Sequence, residues 1–188
     1  MRYEVTSYNT KRLLADTLKE LMSKKPFSKI KVTEIIEACG VNRKTFYYHF
    51  EDIYALLRWV FEQEAARVMR GRDFMTDFEG SIRFAMEYVE QNDYVVSCAY
   101  DPVGREEMKR FFASTVFSMA VTVIDAAALA FGKSIDEEFK QYVAAFYTEA
   151  ISGMFIEWIK SRDKHEKEKV LGYMTSIIEL TVKSMELM

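Results

Sequence analysis

Val32-Thr33-Glu34-Ile35-Ile36-Glu37-Ala38-Cys39-Gly40-Val41-Asn42-Arg43-Lys44-Thr45-Phe46-Tyr47-Tyr48-His49-Phe50 is the most informative segment of this chain. Thr33 is expected to cap a short helix that runs through Cys39 and buries Ile35, Ile36 and either Ala38 or Cys39. Gly40-Val41 makes a turn, because glycine tolerates the left-handed conformation that ends a helix. Asn42 then caps a second helix from Arg43 to about Phe50, with Phe46 and Phe50 four residues apart on one buried stripe. At about 100° per residue, Lys44, Thr45, Tyr47 and Tyr48 point away from that stripe, and Arg43 sits in the first turn. The pattern is a helix-turn-helix.

The outward set combines two cations with hydroxyl and aromatic groups, an unusual mixture for a merely solvated face. Cations attract phosphate, arginine can pair bidentately with guanine, and tyrosine offers a ring to a thymine methyl and a hydroxyl to phosphate. A helix also has the right width for the major groove. His49 lies nearer the buried stripe than the others, so a packed histidine is a competing reading there, and Tyr47 has the same alternative as a core aromatic.

Upstream, Leu13, Leu14, Leu18, Leu21 and Met22 form an amphipathic helix from Asn9 or Thr10 to Lys24, with Thr10 as its expected N-cap. Pro26 stops it, and Phe27, Ile30 and Val32 anchor the following loop. With Leu13, Phe27 and Leu56 added, residues 8–60 resemble the N-terminal signature of the TetR/AcrR regulators: a capped helix, an Ala-x-Gly-Val turn, and Thr-Phe-Tyr-x-His-Phe in the recognition helix. The resemblance implies that Arg43, Lys44 and Tyr48 face base edges of double-stranded DNA, while Thr33, Thr45, Tyr47 and His49 contact phosphate or sugar. Where many relatives carry lysine in the turn into the fourth helix, this chain has Phe50-Glu51-Asp52-Ile53. Asp52 is expected to cap that helix instead, and the phosphate grip is expected to be weaker.

Charge divides in the same way. Residues 1–59 carry 11 Lys and Arg against 7 Asp and Glu, and the rest of the chain carries 15 against 22, so an overall net charge of -3 conceals a basic N-terminal third. Cys39 and Cys98 have no CxxC spacing, and both are expected to be small buried side chains rather than disulfide or metal ligands. No apolar leader opens the chain and no 18-residue apolar run lacks a polar break, so a cytoplasmic protein without a membrane segment is expected. His49 and His165 are the only histidines. With neither a glycine-rich phosphate loop nor a nucleophile elbow, no catalytic residues, metal or cofactor are expected. The acidic pairs Glu106-Glu107 and Glu137-Glu138 read as surface.

Beyond Asp52 the pattern is helical, with breaks expected at Gly71, Gly80, Asn92-Asp93, Pro102-Val103-Gly104, Gly132 and Arg162-Asp163. The expected architecture is therefore all-α: an N-terminal three-helix DNA-binding domain, residues 1–52, followed by a bundle of about six helices, residues 53–188. The last two helices, near Asp136–Ser161 and Glu166–Met188, carry wide apolar faces that include Phe139, Phe146, Trp158, Ile159, Leu171, Met174 and Ile177. Gly153 and Gly172 interrupt them at about 1 kcal/mol each relative to alanine, tolerable where two backbones approach closely. The resemblance implies a two-fold four-helix interface from these helices, for which internal core is the alternative that sizing chromatography separates, a homodimer matched to a palindromic operator, and an effector pocket among the middle helices. Tyr94, Cys98, Tyr100, Met108, Phe111, Phe112, Phe117 and Met119 lie in that middle region, where plain core is the alternative, and no effector residue is singled out. Phe146 to Trp158 is also similar to the C-terminal region of a subgroup that includes regulators of dihydroxyacetone kinase operons. The expected function is a repressor released by a small-molecule effector. The competing reading is a co-regulator whose bundle senses a partner protein, and a ligand-dependent melting shift separates the two.

Overall fold

A computed structural model describes residues 2–69, 77–161 and 167–186, with side chains over 6–67, 77–161 and 167–184. The elements in chain order are α1 (Arg2–Met22), a 3-10 turn (Phe27–Lys29), α2 (Val32–Cys39), α3 (Arg43–His49), α4 (Ile53–Met69), α5 (Phe78–Glu90), α6 (Asp93–Tyr100), α7 (Pro102–Ala130), α8 (Glu137–Ser161) and α9 (Lys167–Glu186). Among the described residues the fold is all-α, and six helices follow Asp52 as the spacing predicts.

The packed units do not follow chain order. One comprises Met1–Arg67 with Gln91–Met108, and the other Val68–Glu90 with Lys109–Met188. In the first, α1 packs on α2, α3 and α6. Leu14, Leu18 and Met22 of α1 are wholly buried at i, i+4, i+8 spacing, with Phe27, Ile35, Phe46, Leu56 and Leu57 in the same core. Each such side chain contributes about 1.5–3 kcal/mol by leaving water. Leu13, expected on the apolar stripe, is half exposed.

Two expected caps are corrected. Helix α1 begins well before Thr10, whose hydroxyl donates to the Thr6 carbonyl at 3.0 Å. This is the back-bond a threonine makes inside a helix rather than at its start. At α2 the cap position is Lys31, two residues before Thr33, and the Glu34 carboxylate accepts the Lys31 N–H at 2.8 Å. The side chain three residues in does the capping, as in the reciprocal half of a capping box. Gly40 has φ 66°, the left-handed stop that the turn requires. Asp52 caps α4 by accepting from Ala55 N–H at 2.7 Å.

Ile36 and Cys39 are half-buried and Ala38 is exposed, so Ile35 alone seats α2 fully. The Cys39 thiol lies 3.0 Å from the Thr17 hydroxyl, a polar partner that leaves it at the edge of the core, whereas Cys98 is buried and burial drives its thiol pKa far up. Glu107 corrects the surface reading of its pair: it is 5% exposed and meets Arg58 at 3.1 Å. The Tyr94-to-Met119 stretch is divided between the two units: Tyr94, Cys98 and Met108 are core in the first, while Phe111, Phe112, Phe117 and Met119 are half-buried in the second.

In the second unit α5 packs on α9, and Ile124, Ala127 and Ala144 form a core cluster flanked by Phe117, Val143 and Val182. Gly80 continues α5 rather than breaking it, because Asp77 caps the helix there by accepting the Gly80 N–H at 2.8 Å. Gly132, at φ 63°, ends α7. The breaks expected at Gly71 and Arg162-Asp163 lie outside the described residues. Helix α7 is long and apolar enough to cross a membrane by length and composition. Along it Asp125 pairs with Lys140 at 3.0 Å, and Ser118 and Thr122 donate back to carbonyls four residues earlier.

Trp158, Ile159, Leu171 and Met174, expected on an unpartnered face, are covered within the chain. Among the described residues, the large apolar groups left open on α8 and α9 are Phe139, Tyr142, Phe146, Met154, Tyr173, Ile177 and Leu180.

Candidate DNA-reading surface

Helix α3 owes its orientation to three local devices. The Asn42 carboxamide oxygen accepts from the Thr45 N–H at 2.8 Å and the Thr45 hydroxyl at 3.1 Å, which starts the helix. Phe46 is wholly buried and stacks edge-on to Tyr47 and, tilted, on Phe50. The Phe50 N–H returns to the Phe46 carbonyl at 2.9 Å, and the chain leaves in an extended conformation. With the Phe46 side locked inward, the opposite side of α3 must face out.

Arg43 and Lys44 are exposed, Tyr47 is 45% exposed and Tyr48 64%. These are large exposures for aromatic rings. The Arg43 guanidinium sits 5.4 Å from the Tyr47 ring centroid, a cation–π contact. Tyr47 is therefore half in and half out: it packs edge-on with buried Phe46, and Arg43 lies over its ring. Thr45 is half-buried with its hydroxyl donated to the Asn42 cap. Thr33 is exposed near the start of α2. His49 is half-buried beneath the edge of Tyr48, at 4.9 Å between ring centroids.

The structure adds Lys11, which local spacing could not reveal. Its ammonium lies 5.7 Å from the Phe50 ring centroid, at the end of α3. Burial first, and then the Lys11 charge, push the His49 pKa below its usual value, so His49 is neutral near pH 7 and stands beside a fixed cation. Lys11 and His49 are 38 positions apart, and only the packing of α1 against α3 brings them together.

The loop that delivers α2 and α3 is held from behind. Phe27 and Ile30 are buried, and Phe27 stacks edge-on to Tyr54 of α4 at 5.8 Å. Ser28 between them donates both its N–H (3.1 Å) and its hydroxyl (2.5 Å) to Oδ2 of Asp101.

In the second unit, a cavity of about 100 Å³ is lined by apolar groups of α5, α7, α8 and α9, among them Ile82, Met119, Val123, Ile151 and Ile178. Its polar feature is the Thr181 hydroxyl, 2.6 Å from the Tyr147 hydroxyl. Both residues also line an adjoining, more open cavity of about 270 Å³ beside Phe139, Tyr142 and Phe146. Among the described residues no cluster of acidic, histidine or cysteine side chains is arranged to hold a metal.

Comparison with known proteins agrees in both halves of the chain. Residues 14–60 match the family model for bacterial regulatory proteins of the tetR family, and residues 76–180 match the model for a transcriptional regulator C-terminal region. The chain is similar to the HTH-type dhaKLM operon transcriptional activator DhaS of Lactococcus lactis subsp. lactis, with 25% identity over 83 residues. That match spans 44% of each chain, less than half the relative's length. A solved structure of dihydroxyacetone kinase operon activator DhaS superposes with a TM-score of 0.66 at 19% identity, covering 93% of this chain and 96% of that one, which shows a shared fold. The chain is a transcriptional regulator of the TetR family.

Proposed function

We propose that this regulator binds a palindromic operator as a homodimer, with residues 1–52 as the DNA-binding domain and residues 53–188 as the sensing and dimerising domain. The observation that carries the reading is the division of α3, with Phe46 wholly buried and Arg43, Lys44, Tyr47 and Tyr48 turned outward. Arg43, Lys44 and Tyr48 read base edges; Thr33, Tyr47 and His49 hold phosphate or sugar. Thr45 joins the phosphate set by turning to a phosphate oxygen the hydroxyl proton that it donates to Asn42 in the free protein.

The dimer rests on α8 and α9. Phe139, Tyr142 and Phe146 recur along α8, and Tyr173, Ile177 and Leu180 along α9, at spacings that keep each set on one side of its helix. A Cβ built at Gly153 or Gly172 meets nothing within 4 Å, so both backbones are open to a partner. The effector is a small, mainly apolar molecule held in the cavity beside Tyr147 and Thr181. Its binding alters operator affinity, as expected for a repressor released by its ligand in the cytoplasm.

Activation is the second reading, favoured because the DhaS relatives are described as operon activators. Selection of bound DNA from a random pool tests the core of the proposal. Recovery of an inverted repeat whose half-sites lie about one helical turn or a multiple apart supports it; recovery of no common sequence overturns it. A reporter downstream of the recovered site then separates repression from activation. Leu180→Glu in sizing chromatography should yield a monomer, and an unchanged dimer would remove α9 from the interface.

A further inference from the structure

Asp101 lies 73 residues from Ser28 and is 4% exposed, a buried carboxylate with no ion-pair partner among the described residues. Its charge is met by hydrogen bonds instead. Oδ2 accepts the Ser28 N–H and hydroxyl, and Oδ1 accepts the Val103 N–H at 3.0 Å and the Gly104 N–H at 2.8 Å. Burial alone would raise its pKa, yet the donors from Ser28, Gly104 and Val103 outweigh that and hold the carboxyl below its ordinary range. One oxygen thus caps α7 and the other grips the loop ahead of α2. Gly104 is part of the same fitting: a Cβ there would lie 2.7 Å from the Cys98 sulfur and 2.9 Å from the Cys98 carbonyl, so α7 starts tight against α6.

We infer that Asp101 is a positioning residue for operator reading, acting through Ser28 on the turn that launches α2 and, through α2, on α3. The links are short and directional. Ser28 sits inside the 3-10 turn closed by Ile30 N–H to Phe27 carbonyl at 2.9 Å, and α2 begins two residues after Ile30. Helix α2 then passes its orientation to α3 through Gly40-Val41, where the Val41 N–H returns to the Ile36 carbonyl at 3.1 Å. A small displacement of the turn therefore displaces Arg43 and Lys44, and bidentate base contacts are lost with small errors in placement. Neutral asparagine at 101 would offer one acceptor where two carboxylate oxygens now face four donor bonds.

The inference rests on the DNA-binding reading, and its test separates the two. Operator recovered by selection is titrated against the full-length wild type, Asp101→Asn, Ser28→Ala and the double variant, well below their melting temperatures. Each single change should weaken operator binding, by about tenfold for Asp101→Asn. The double variant should be no worse than Asp101→Asn alone, because both act through one linkage. The slope of affinity against salt should stay at the wild-type value, since no phosphate contact is removed. A lower melting temperature with unchanged operator affinity, or losses that add in full, overturns the role of Asp101. If Asp101→Asn does not fold, Ser28→Ala, altered at an exposed position, decides alone, and unchanged affinity overturns the inference. A wild type that selects no operator overturns the DNA-binding reading itself.

Discussion

Arg43 and Tyr47 stand one helical turn apart on α3, with the guanidinium 5.4 Å from the ring centroid and Nη2 3.5 Å from the hydroxyl. At that distance the hydrogen bond is marginal and the stacking contact carries the interaction. It holds a long, exposed side chain in a restricted set of rotamers before DNA arrives, which reduces the entropy lost on binding. Arg43→Ala should cost about 1–3 kcal/mol of operator affinity and relax selection at the base it reads. Tyr47→Phe keeps the ring and should lose less than Tyr47→Ala. Titration of each variant against the selected operator checks the order, and equal losses for the two tyrosine variants would show that the hydroxyl, not the stack, matters.

The Asn42 carboxamide oxygen accepts from the Thr45 N–H, in the first turn of α3, and from the Thr45 hydroxyl together. Asn42→Ala should destabilise the fold by about 0.5–2 kcal/mol, and Asn42→Asp should retain most of the cap. Chemical denaturation measures both.

His49 gives a dependence on pH whose sign follows from its surroundings. Burial and the Lys11 charge depress its folded pKa, so the unfolded chain binds the proton more readily. The stability held with neutral His49 is present above the ordinary histidine pKa and is lost as pH falls toward the depressed folded value. A phosphate beside His49 acts in the opposite sense and favours the imidazolium. Operator affinity should therefore rise between pH 7.5 and 6, and His49→Gln should flatten that rise. Lys11→Ala should move the His49 titration upward, which proton NMR can follow because the chain has two histidines.

Glu51 is exposed just past α3, and Asp52 is committed to capping α4. Glu51→Lys should strengthen operator binding at low salt and steepen the dependence of log affinity on log salt by about 1. An unchanged slope would place residue 51 away from the DNA backbone.

The tight start of α7 predicts that Gly104→Ala is destabilising although glycine is the poorer helix former. The added carbon meets the Cys98 sulfur and carbonyl below ordinary contact distance, and the carbonyl cannot rotate away. Thermal melting of this variant beside Gly153→Ala, where the built Cβ is open, makes the comparison: a drop confined to Gly104→Ala is the expected result.

Much of the reading unit was legible in the chain because its determinants are local. Gly40, Asn42, Phe46 and Asp52 act on neighbours within four residues, and each does what its type and position imply. Thr10 and Thr33 do not cap because a hydroxyl can bond back inside a helix and because Glu34, by accepting the Lys31 N–H, starts α2 at Lys31 instead; propensity alone does not rank such rivals. The apolar face of α8 and α9 was visible as a sum. Trp158, Ile159, Leu171 and Met174 could not be separated in advance from Phe146 and Leu180, since helical spacing gives a face and not the neighbour that covers it.

The helix-turn-helix, the outward cations of α3, the all-α character and, among the described residues, the six helices after Asp52 all follow from local order in the chain, because periodicity, caps and turns are short-range physics. That α6 and the start of α7 pack with the N-terminal helices, that Lys11 stands beside His49 and Phe50, and that buried Asp101 holds Ser28 emerge when the helices come together. These pairings join residues tens of positions apart. A carboxylate's burial depends on which distant donors meet it, and that is settled when the helices pack.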